Sequence, residues 1–96
     1  MNAQIKLRDS RKAYRISLRD KLSKSYRHQA LAKSSVDLRW INGFMAAGYH
    51  SGLISLTELK IECLSAYRAV FKERMTEAQE TRLERRLSKL CAEGEY

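Results

Sequence analysis

The segment Ser55-Leu56-Thr57-Glu58 narrows what this chain can fold into more than any other. A serine followed three residues later by glutamate is a capping box: the Ser55 hydroxyl accepts from the Glu58 N–H, and the Glu58 carboxylate reaches back to the Ser55 N–H. Ile54 before the cap and Leu59 at the fourth helical position add the matching hydrophobic staple. Just upstream, Gly52 suits the left-handed position past a helix end. One helix therefore ends near His50 and Ser51, and the next begins at residue 56. So short a connection predicts an antiparallel helical hairpin over 36–51 and 56–74.

The first of these helices has Trp40, Ile41, Phe44, Met45 and Gly48 at helical spacing. Ser34 or Ser35 is its expected cap, with Asp37 in the first turn. Gly43 and Ala47 lie four apart on a neighbouring strip, where small residues let another helix approach. The second helix runs through Leu59, Cys63, Ala66, Tyr67, Val70 and Phe71. Residues 72–82 are then nearly all polar, and the apolar stripe resumes out of phase at Leu83, Leu87 and Leu90. Thr76 with Gln79 makes a second capping-box pattern. A break near Met75 is therefore preferred over one continuous helix, and the segment from Glu77 on reads as a solvated or partner-facing helix.

With no proline and four glycines in 96 residues, the chain is expected to be a single all-α domain, a small bundle of three to four helices. Its 44% hydrophobic and 31% charged composition fits a folded chain rather than a disordered one. The surplus aromatics Trp40, Phe44, Tyr49, Tyr67 and Phe71 are expected to form its own core, the alternative being a partner groove or a homodimer seam.

The formal net charge of +8 is unevenly spread. Residues 1–33 hold ten basic and two acidic side chains, whereas 34–50 and 51–96 each balance. Read as a helix, this third puts Arg8, Arg11, Lys12, Arg15 and Arg19 on one face, beside Leu7, Tyr14, Leu18 and Leu22. Strict alternation over 4–8 and 14–19 also fits two strands turning at 9–12, but no glycine marks the turn. The expectation is a helix over about residues 12–32 with the first ten residues as an arm. Residues 1–33 thus read as a basic N-terminal arm or helix, and 34–96 as the hairpin plus a C-terminal helix of the same domain.

Several function classes lack their parts. Gly43, Gly48 and Gly52 form neither a dinucleotide-binding nor a P-loop pattern, and GxSxG and HExxH do not occur. Glu58 and Glu62 share a helix face, but Glu58 already serves the cap. His28 reads as a surface residue and His50 as a helix-end residue. His28, His50, Cys63 and Cys91 lack the close pairing a zinc site needs. The chain is therefore expected to be no enzyme, with no catalytic, cofactor-binding or metal-binding residue. Two cysteines are too few for a secreted disulfide scaffold. No apolar run is long enough to span a membrane, and no signal-peptide core follows Met1. These readings predict reduced thiols, a small buried side chain at Cys63, no membrane partner and a cytoplasmic location.

Two binding readings remain. The basic third can neutralise phosphates, with Tyr14 and Tyr26 placed to stack on unpaired bases. It can equally dock on an acidic protein surface. Charge reversal at Arg11, Arg15 and Arg19 is expected to weaken partner binding and leave folding nearly intact. Sequence-specific DNA reading is disfavoured, because the helix after the turn begins Leu56-Thr57-Glu58-Leu59-Lys60-Ile61-Glu62, without cations or amides in its first turn.

The segment from Ser34 to Phe71 (SSVDLRWINGFMAAGYHSGLISLTELKIECLSAYRAVF), with its basic leader, resembles the small early-region accessory proteins of lambdoid bacteriophages, among them the anti-RecBCD proteins of P22-like phages. The resemblance implies a non-enzymatic phage protein in the host bacterial cytoplasm. Such a protein binds the RecBCD helicase–nuclease, alone or with its DNA, and modulates it in support of phage recombination and DNA protection. It carries over no functional residue. The alternative is an autonomous, non-specific nucleic-acid-binding protein. A net charge of +8 excludes DNA mimicry. The expected contact residues are Arg8, Arg11, Lys12, Arg15, Arg19, Tyr14 and Tyr26.

Overall fold

Both capping boxes form, and they set the element order. In the computed structural model, which describes residues 3–32 and 39–93 and the side chains of 8–31 and 41–92, the helices are α1 (Ala3–Ala32), α2 (Arg39–His50), α3 (Leu56–Phe71) and α4 (Glu77–Glu93). The described residues form an all-α bundle of four helices without a strand. The caps expected at Ser34 or Ser35, Asp37 and the side chain of Trp40 lie outside the described residues.

The turn between α2 and α3 is a Schellman motif. The Leu53 N–H donates to the Gly48 carbonyl at 2.8 Å and the Gly52 N–H to that of Tyr49 at 3.1 Å, with Gly52 at φ 76°. At the start of α3 the Glu58 N–H donates to the Ser55 hydroxyl at 3.1 Å, and the Ser55 N–H to the Glu58 carboxylate at 3.0 Å. α3 stops at Phe71, three residues short of the expected end. There Lys72 adopts φ 61° and its N–H closes on the Arg68 carbonyl at 2.9 Å. The break expected near Met75 follows, and Thr76 and Gln79 cap α4 reciprocally.

Packing does not follow the hairpin. α3 lies mainly on α1, and α2 packs on α1 and α4. α1 runs parallel to α3, since Arg15 meets Glu58 and Glu62 while Tyr26 meets Tyr67 and Phe71. α4 runs antiparallel to α3, with Lys60 beside Glu80 and Glu84 and Tyr67 beside Gln79. One core joins Leu18 and Leu22 of α1, Ile41 and Met45 of α2, Leu59 and Cys63 of α3, and Leu87 and Leu90 of α4. α4 is thus part of the core, not the solvated helix expected from its polar start.

Two further expectations are corrected. The first ten residues were expected to be an arm apart from the helix, but from Ala3 they are its first turns. Helical order extends well ahead of Tyr14, the first buried residue among the described side chains, and the side chains of residues 8–13 are exposed. The close approach expected at Gly43 and Ala47 occurs instead at Gly48. The Tyr14 ring fills the space a Cβ would occupy there, whereas Gly43 has no such neighbour and Ala47 is exposed.

Candidate interaction surface

The cations of α1 divide by what α3 presents to them. Arg11, Arg15 and Arg19 recur every fourth residue, and so do Glu58 and Glu62. Two parallel helices with the same spacing bring the two rows into register. Arg15 donates to Glu58 at 2.8 Å and, through two nitrogens, to Glu62 at 2.9 and 2.7 Å. Arg19 reaches both Glu62 oxygens, at 2.6 and 3.0 Å. Arg11 lies 3.5 Å from Glu58 and donates to the Leu53 carbonyl at 3.4 Å.

Glu62 is the centre of this network, with its side chain only 3% exposed. Burial alone would push its carboxyl up. The hydrogen bonds and charges of Arg19 and Arg15 outweigh that and hold it below the usual carboxylate range. Glu58 is also held low. The Ser55 backbone hydrogen bond contributes most, against burial, with help from the Ser55 hydroxyl, Arg15 and Arg11. Both carboxylates are therefore held as anions with their protons gone, which suits pairing and not proton donation.

This placement corrects one expectation. Arg15 and Arg19 fasten α1 to α3, so reversing their charge with that of Arg11 strikes the fold as well as any partner. Arg8 and Lys12 are exposed and have no partner among the described residues. With Arg11, Arg15, Arg19 and Ile16 they line an open groove of about 690 Å³ over Glu58.

The tyrosines are turned inward. Tyr14 is 9% exposed, stacks on Phe44 with centroids 4.7 Å apart, and donates its hydroxyl to the Phe44 carbonyl at 2.8 Å. Tyr26 packs edge-on against Tyr67 at 5.6 Å and Phe71 at 6.1 Å. Desolvation is the first cause that raises both phenols. Tyr14, buried and stacked, offers no face for a base, and Tyr26 is half-buried beside two other rings.

Cys63 and Cys91 are buried free thiols, and burial pushes Cys63 up to about 12. Among the described residues no three His, Cys, Asp or Glu side chains gather as a metal site, and no helix is long and apolar enough to cross a membrane. Sequence reasoning passed over two residues on this surface, Ile16 at 56% and Ile61 at 49% exposure. Their signal is an aliphatic side chain lying off its own helix's buried stripe. Comparisons with protein-family models, with curated proteins and with solved structures found no match to this chain.

Proposed function

We propose that this chain is a non-enzymatic binding protein that attaches to a larger host protein machine acting on DNA and modulates it. The machine that the phage resemblance names is the RecBCD helicase–nuclease. The observation that carries the binding reading is the division within α1. Arg15 and Arg19 are held by Glu62, while Arg8 and Lys12 stand unpaired beside exposed Ile16. Free cations next to an exposed aliphatic side chain suit a protein surface better than a bare phosphate backbone.

The alternative, autonomous nucleic-acid binding, retains the cations but loses buried Tyr14 as a stacking platform. A contact limited to Arg8, Arg11 and Lys12 would weaken by roughly 10- to 100-fold between 50 and 200 mM salt, against about 10³-fold or more for six phosphates. The test is retention of purified RecBCD on the immobilised chain, with and without nuclease treatment, beside a duplex titration at both salts. Retention that survives nuclease is expected. Retention lost with nuclease, together with the steeper salt dependence, transfers the function to the alternative. No retention under either condition overturns the RecBCD assignment.

A further inference from the structure

We infer that the groove between α1 and α3 docks an acidic amphipathic helix of a protein partner. This deepens the binding-protein reading above and rests on it. Arg15 and Arg19 line the groove that ends at Arg8, and they also line the one that holds Ser23, Ile61, Ser65 and Ala69. The two grooves therefore adjoin at Arg15 and Arg19. From Arg8 to Ser23 they follow about 22 Å of α1, the length of a four-turn helix.

The surface has the three parts a helix needs. Ser23, Ser65 and Ala69 form a floor of small side chains that lets a helix backbone come close. Ile16 and Ile61, both about half exposed, are apolar anchors, one in the groove with Arg8 and Lys12 and the other in the groove with the small side chains. Arg8 and Lys12 supply uncompensated positive charge at one end, because Glu58 and Glu62 are already neutralised by Arg11, Arg15 and Arg19.

Each part selects the occupant. A phosphate backbone would use the cations and gain nothing from the isoleucines or the small-residue floor. A second copy of this chain would bring the same cations against themselves. An acidic helix with an apolar stripe satisfies all three, its leucine-like side chains on Ile16 and Ile61 and its carboxylates on Arg8 and Lys12.

The probe is a synthetic 16-residue helical peptide with Leu at i, i+3, i+4 and i+7 and Glu elsewhere. It is titrated into the full ¹⁵N-labelled chain beside a lysine-for-glutamate counterpart, a scrambled peptide of the same composition and a 16-nucleotide single-stranded DNA. The acidic helix is expected to shift amides within 8–23 and 61–69, with the lysine and scrambled peptides at least tenfold weaker. The Ile16→Ser/Ile61→Ser double variant, which leaves the core untouched, is expected to keep its melting temperature and lose tenfold or more in affinity. So is the Arg8→Glu/Lys12→Glu variant. Equal binding of the scrambled peptide, shifts elsewhere, tighter binding of the DNA, or an isoleucine variant that binds as well as wild type would each overturn the groove. The isoleucine variant separates the two claims in the retention assay. If it retains RecBCD as wild type does, the groove falls and the binding reading stands. If wild type itself retains nothing, the binding reading falls and the peptide titration still decides the groove.

Discussion

Glu62 has a buried carboxylate with hydrogen bonds from two nitrogens of Arg15 and two of Arg19. Exposed ion pairs contribute little, because water screens them and long side chains lose freedom in making them. Here the acceptor is buried, so removing a donor leaves charge without its compensation. Arg15→Ala is expected to cost about 1–3 kcal/mol, below the full figure for a buried pair because Arg19 remains. Arg8→Ala is expected to stay within about 0.5 kcal/mol, since nothing among the described residues holds Arg8. Urea unfolding of the two variants measures the contrast. The same network sets an acid dependence. A carboxylate whose folded pKa lies below its unfolded value, ~4.3, stabilises the fold fully above that value. The stabilisation is lost as pH falls through the lower folded value. Melting temperature should therefore drop on acidification below about pH 4.3, and more shallowly in Glu62→Gln. The sequence showed all these residues but not their pairing. Arg15 and Glu62 are 47 positions apart, and their register depends on α1 lying parallel to α3.

The helix boundaries were legible for the opposite reason, since caps are local. Ser55 with Glu58, Thr76 with Gln79, and Gly52 each act within a few residues, and each formed as its spacing implied. The start of α1 was not legible, because the alternation over residues 4–8 fits a strand as well as a helix, and residues 8–13, all exposed, show no buried stripe to decide between them. Nor was the site of close approach, because Gly43 and Gly48 look alike until Tyr14 arrives from another helix. That difference predicts opposite signs for one substitution. Gly43→Ala should stabilise by about 0.5–1 kcal/mol, as helix propensity alone dictates. Gly48→Ala gains the same propensity but forces Tyr14 out of its stack on Phe44, and such overpacking costs about 1–3 kcal/mol. Gly48→Ala should therefore melt below wild type and Gly43→Ala above it, with calorimetry reading both signs.

At the scale of the whole molecule, 47 Å along its longest axis, the question is whether the basic helix is an appendage or part of a single cooperative unit. The sequence invited the first view, with the charge in one third and a neutral body in the rest. The packing argues for the second. Leu18 of α1 and Leu87 of α4 are both fully buried in one core, and α3 touches both helices. The exposed cations of residues 8–13 are accordingly held on a helix that cannot detach without opening that core. Truncating either leucine to alanine should cost about 2–5 kcal/mol, a large share of the roughly 5–15 kcal/mol that stabilises a domain. If the bundle is one unit, Leu18→Ala and Leu87→Ala both lower the midpoint of a single transition. Far-ultraviolet circular dichroism and calorimetry should then report the same transition in each variant. If α1 were an appendage, Leu18→Ala would instead split the transition, with helicity lost early and the remaining three helices melting at the wild-type midpoint.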